Sequence, residues 1–190
     1  MISSHLRLFL FSFLGICFIV YGLEPLFFIW ATLDLLSQKK ERSIKFKSKN
    51  KFAGIYIFLV FLPFIMIVGT IGEYFLGEFE KQDSVNELKN RFSELGFSFF
   101  FSVLVLSPVF EEFYFRKILL NEICIHYGPF ISVLLTAILF SAIHLNIYAF
   151  PILFALGLSL GVVKIFSVNL WNSVLCHSFF NLFMLSQIIN

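Results

Sequence analysis

Long apolar runs alternate with short polar interruptions along this chain, and that alternation predicts a bundle of membrane helices. Leu6 to Leu36 is apolar over 31 residues and is broken by Gly22, Glu24 and Pro25, residue types that kink or end a membrane helix here. One crossing followed by a short surface helix fits this region, because the second piece falls short of the roughly 20 residues a crossing needs. Glu24 then lies near an interface. Phe52 to Leu76 predicts a second crossing with Pro63 inside it, as membrane helices tolerate. Gly96 to Ile125 predicts a third and Phe130 to about Leu145 a fourth, with a turn around His126 to Pro129 between them. A polar break at Asn146 and Tyr148, then Pro151, precedes a fifth span to about Val168, and a sixth runs from about Leu170 to the C-terminus.

The polar segments orient these spans. Between Ser37 and Lys51 lie Lys39, Lys40, Arg42, Lys45, Lys47, Lys49 and Lys51 against the single acid Glu41, which by the positive-inside rule makes this loop cytoplasmic. The link from Gly77 to Glu94 carries Glu78, Glu80, Asp83, Glu87 and Glu94 against Lys81, Lys89 and Arg91, and fits the opposite side. From Ser84 onward, Val85, Leu88, Phe92 and Leu95 fall near helical spacing, so this part predicts an amphipathic surface helix. In the fifth span Gly157 and Gly161 form a G-x-x-x-G spacing, whose default meaning is close helix packing. Lys164 can snorkel to the cytoplasmic surface.

Composition agrees with the pattern. Across 190 residues, 59% are hydrophobic and only 14% charged, with a mean hydropathy of +0.91, well above the about 45–50% apolar content of soluble domains. The 29 phenylalanines are spread too evenly to mark a site. Nucleic-acid binding is not expected, because the net charge is only +2 and half of the 14 Lys and Arg residues belong to the cytoplasmic loop. Cys17, Cys124 and Cys176 lie in apolar runs without metal or redox spacing and read as small buried hydrophobes. Leu8 to Val20 has the length of a signal-peptide core, but only Arg7 precedes it and no A-x-A-like site follows, so a retained membrane segment is expected.

Against this background the stretch Pro108 to Lys117 stands out. Glu111, Glu112 and Arg116 lie inside the third span, where each charge costs roughly 2.5 to 3.5 kcal/mol on insertion scales. Residues four apart share a helix face and consecutive ones point about 100° apart, so Glu112 pairs with Arg116 while Glu111 looks elsewhere. A buried ion-pair cluster that joins helices explains this equally well taken alone. The fourth span adds His144, and the sixth adds His177 and Asn181, which also share a face. Glu111 lies 17 residues before Gly128 and His144 lies 16 after it, so the two sit at similar depth. His177 fits less well: it is eight residues past Asn169, or about 12 Å, and meets the others only if the hairpin projects further or helices tilt. A carboxylate, two imidazoles and a carboxamide around an enclosed wet cavity suit hydrolysis, in which a base takes a proton from water and donors stabilise the oxyanion.

Three motifs occur in order on these segments: Glu111-Glu112-Phe113-Tyr114-Phe115-Arg116 (E-E-x-x-x-R), Phe140-Ser141-Ala142-Ile143-His144 (F-x-x-x-H) and His177-Ser178-Phe179-Phe180-Asn181 (H-x-x-x-N). Singly each is weak, but in this order on hydrophobic segments they resemble the CPBP intramembrane proteases. That family is also called the Abi or type II CAAX protease family and includes proteins linked to bacteriocin processing or self-immunity. The resemblance covers Pro108 to Asn181, and Lys117 stands where many members have Gly after the motif Arg. It implies that Glu111 activates water and His144 holds or polarises it. It also implies that His177 and Asn181 stabilise the oxyanion while Glu112 and Arg116 support the site. The chain is accordingly expected to be an all-α polytopic bundle of about six transmembrane helices around an intramembrane polar cavity. Residues 1–96 would form N-terminal helices and loops, and 97–190 the catalytic core.

These residues are compatible with two readings of metal dependence. Glu111, His144 and His177 would supply a zinc site with water as fourth ligand, and the family has been described both as metalloproteases and as metal-free glutamate proteases. The lack of an H-E-x-x-H motif and the fit of Asn181 to an oxyanion donor favour the metal-free reading, so no cofactor is expected. The expected partners are the lipid bilayer and a membrane-associated peptide or protein, including CAAX-type prenylated or bacteriocin-related substrates; oligomeric state is not legible. Two other classes compete with an endopeptidase: a non-enzymatic immunity or scaffold protein that keeps the polar cluster for packing, and a proton or ion relay.

Overall fold

The computed structural model describes residues 50–76, 89, 90, 94, 96–167 and 169–189. The first predicted crossing, the basic loop as far as Lys49 and most of the acidic link lie outside the described residues. Within them the fold is entirely helical, without strands. Helix α1 is Ala53–Leu76, α2 is Phe97–Ala142, α3 is Phe150–Phe166 and α4 is Leu170–Ile189.

Two of these helices, α1 and α2, are long and apolar enough to cross a membrane. Helix α3 is apolar but has 17 residues, and α4 interrupts its apolar faces with Asn172, Ser173, His177, Ser178 and Asn181. The first of the six crossings expected from hydropathy lies outside the described residues; within them two helices qualify, α2 covering the third and fourth predicted spans.

Helix α2 is a hairpin of two arms. At Gly128 the backbone takes φ 80° and ψ 171°, a region essentially reserved for glycine, and Pro129 follows at the start of the second arm. Folding back there brings the Phe115 ring to 5.4 Å from the Phe140 ring, centroid to centroid. The first arm is not uniformly α-helical. Ser102–Leu106 and Phe113–Leu119 are π-helical and flank a short α-helical piece, Ser107–Glu112. Pro108 accounts for the first stretch: it has no N–H and its ring crowds the preceding turn, and the widened i→i+5 winding relieves that crowding.

Helix α3 is the centre of the bundle, and Ala155, Leu156, Leu160 and Val163 on it are fully buried. A methyl group added at Gly54, Gly69 or Gly72 of α1 would meet Val163, Ile152 or Pro151 respectively; the falling partner numbers make α1 and α3 antiparallel. On its other side, a Cβ at Gly157 would come within 3.0 Å of the Ala137 backbone, and one at Gly161 within 3.0 Å of Val133. The G-x-x-x-G spacing therefore lets α3 and the second arm of α2 approach at backbone distance. Hydroxyls buried along this seam are satisfied within their own helices: Thr136 donates to Ser132, Ser141 to Ala137 and Ser159 to Leu156 carbonyls, as an apolar medium requires.

Helix α4 is seated by polar contacts at both ends of its buried face. Asn169 Oδ1 accepts the Trp171 N–H at 3.0 Å and so caps the first turn. One residue on, Asn172 Nδ2 donates to the Lys51 carbonyl at 2.9 Å and ties α4 to the entry of α1. The far end meets the first arm of α2, where the buried charged residues form a site.

Candidate active site

Glu111 and Glu112 end the short α-helical piece of α2, and Arg116 lies in the π-helical stretch that follows. Arg116 Nε donates to Glu112 Oε2 at 3.1 Å, with both side chains fully buried. This is the pairing that the four-residue spacing predicts, and Glu111 indeed points elsewhere. Its Oε1 accepts a hydrogen bond from Ser107 Oγ, one turn earlier. Its Oε2 is buried without a hydrogen-bond partner among the described residues.

His177 enters from α4 between the two glutamates. Its Nδ1 lies 3.1 Å from Glu112 Oε1, and its Nε2 lies 3.9 Å from Glu111 Oε2. A carboxylate accepts but does not donate, so Nδ1 carries a proton toward Glu112 and Nε2 faces Glu111.

Phe140 ties the motifs together. Its ring lies 5.4 Å from the Arg116 guanidinium carbon, 5.6 Å from the His177 ring and 5.2 Å from the His144 ring. The guanidinium stacking is a cation–π contact in a dry setting. Arg116 keeps Nη1 and Nη2 buried without hydrogen-bond partners among the described residues, so its charge is met by Glu112 and by aromatic faces.

Asn181 Nδ2 donates to the Val103 carbonyl at 2.9 Å. That carbonyl is free for a definite reason. Ser107 N–H bonds Ser102 O in the i→i+5 register, and the next donor in that register belongs to residue 108, which is proline and has none. One of the two amide protons of Asn181 thus completes the helix, and the other is left for further bonding.

The structure therefore brings Glu111, Glu112, Arg116 and His177 into one buried cluster, with Asn181 one turn along α4. His144 does not join it. Helix α2 ends at Ala142, earlier than the apolar run suggests, and Leu145 takes φ 51°. His144 is held exposed beyond the helix end, with Nδ1 donating to the Phe140 carbonyl at 2.8 Å. The candidate zinc set of Glu111, His144 and His177 is not assembled, and among the described residues no three His, Cys, Asp or Glu side chains are placed to hold one metal ion. Ser107 was not singled out from sequence, and Phe140 was named only as the first residue of the F-x-x-x-H motif, without a role in the site. The four-residue spacing of Ser107 and Glu111 was the available signal for the first.

No curated protein and no solved structure matches the chain. Residues 93–183, which hold all three motifs and the entire polar cluster, match the family model described as Type II CAAX prenyl endopeptidase Rce1-like. This segment, just under half of the chain, is similar to the type II CAAX prenyl endopeptidases, the family that the three motifs resemble.

Proposed function

We propose that this protein is an intramembrane endopeptidase whose attacking water is held between Glu111 Oε2 and His177 Nε2. The observation that carries this reading is the 3.9 Å separation of those two buried atoms, too long for a direct bond and spanned by one water that donates to both. Glu112 fixes the His177 tautomer through Nδ1, and Arg116 fixes Glu112. The water oxygen attacks the scissile carbonyl carbon as its proton passes to Glu111. The remaining Asn181 amide proton stabilises the oxyanion. As the C–N bond breaks, Glu111 returns the proton to the leaving amine.

Relative to the family resemblance, His177 here holds the water and Asn181 carries the oxyanion role. His144 keeps Nε2 available on the exposed side of Phe140 and is assigned to the incoming substrate. No step is routed through a metal ion. The substrate class that the family description suggests is a prenylated CAAX-type protein or peptide presented from the membrane. The test is mass spectrometry of a farnesylated CAAX-motif peptide incubated with detergent-purified protein. Internal cleavage by the wild type that disappears in His177→Ala is expected. Intact peptide in both would count against the enzyme.

A second reading has its own support, because the His177–Glu112 and Asn181–Val103 contacts also fasten α4 to α2. A non-enzymatic membrane immunity or scaffold protein would use the cluster in that way. It predicts that shape-preserving Glu111→Gln leaves biological protection intact.

A further inference from the structure

The hydroxyls of the second arm and of α3 back-bond to carbonyls three or four residues earlier: Thr136 to Ser132, Ser141 to Ala137, Ser159 to Leu156. This is the ordinary way a hydroxyl is satisfied in an apolar helix. Ser107 departs from it. Its own i−4 carbonyl is that of Val103, which already accepts from Asn181. The Ser107 hydroxyl turns forward instead and donates to Glu111 Oε1.

We infer that Ser107 is a positioning residue for Glu111, holding the carboxylate so that Oε2 faces His177 Nε2. This rests on the reading of Glu111 as the base. An unrestrained glutamate samples several rotamers, and fixing such a side chain costs conformational entropy. The Ser107 bond, made to a charged acceptor, offsets that cost. With Oε1 occupied, Oε2 is the oxygen left for the water, and it is the one that lies 3.9 Å from His177. Geometry of this kind governs the rate of the chemical step rather than substrate binding, since small misplacements of a reacting group cost large factors in rate.

The experiment compares wild type with Ser107→Ala, Ser107→Thr and Glu111→Gln on a quenched farnesylated CAAX peptide, measuring kcat, KM and thermal unfolding in detergent. Ser107→Ala is expected to lower kcat about ten-fold or more with KM within about two-fold and an unchanged Tm, as loss of orientation alone predicts. Ser107→Thr, which restores the hydroxyl, is expected to recover most of kcat. A fully active Ser107→Ala beside an inactive Glu111→Gln would overturn the positioning role and leave the base intact, as would a threonine variant no better than alanine. A fully active Glu111→Gln would remove the base assignment, and the role of Ser107 with it.

Discussion

Removing the Asn181 amide should matter only because position 108 is a proline. Asn181→Ala deletes the donor that meets the Val103 carbonyl at 2.9 Å, and the helix has no substitute because Pro108 lacks the N–H that the i→i+5 register calls for. Leaving a part-buried carbonyl unsatisfied costs about 1–3 kcal/mol, and side-chain bonds between membrane helices average about 0.6 and reach about 1.7 kcal/mol. A loss near 1 kcal/mol follows, or roughly 2–4 °C in Tm for a chain of this size. In a Pro108→Ala background the backbone regains an N–H for Val103, so Asn181→Ala should then cost little. Thermal unfolding of the four proteins of this double-mutant cycle in detergent measures the coupling directly. An Asn181→Ala penalty that is the same in both backgrounds would refute the reasoning. Activity separates the packing bond of Asn181 from its proposed oxyanion role: Pro108→Ala restores stability to the double variant, but it cannot restore an oxyanion donor.

Arg116→Met should destabilise by about 3–5 kcal/mol, because it strands the fully buried Glu112 carboxylate; replacing Glu112 with Leu in the same protein should recover much of the loss, read as Tm. Gly157→Leu should lower Tm through overpacking of about 1–3 kcal/mol, since even a Cβ there comes within 3.0 Å of the Ala137 backbone. Gly128→Ala should cost about 1–3 kcal/mol from backbone strain alone, because a Cβ at that position meets nothing within 4 Å. Equal stability of the Gly128 variant and wild type would contradict the hairpin geometry.

Hydropathy located α1 to within a residue and placed the α2 turn at Gly128, because a long apolar run and a Gly-Pro pair are local signals. The Glu112–Arg116 pair and the packing role of Gly157 were also legible, since both follow from helical spacing. What escaped depends on backbone winding. An i→i+5 helix leaves no trace in hydropathy, and with it went the free Val103 carbonyl and the forward turn of Ser107. His144 was expected inside a helix running to about Leu145, whereas the left-handed backbone at Leu145 and the helix end at Ala142 place it outside the cluster. The predicted third and fourth spans are the two arms of the α2 hairpin, and the fifth is α3, whose 17 residues bury Ala155, Leu156, Leu160 and Val163 completely; hydropathy alone does not separate such a core helix from a crossing.

The most direct test of the central claim is the turnover of a quenched farnesylated CAAX peptide by wild type and Glu111→Gln, each with and without a chelator. Wild-type cleavage that persists after chelation, with kcat/KM lowered about 10²–10⁴-fold in Glu111→Gln at unchanged Tm, is the result that a glutamate base predicts. Cleavage by Glu111→Gln at the wild-type rate would contradict it. So would wild-type activity lost to the chelator and restored by zinc, which would make Glu111 a metal ligand.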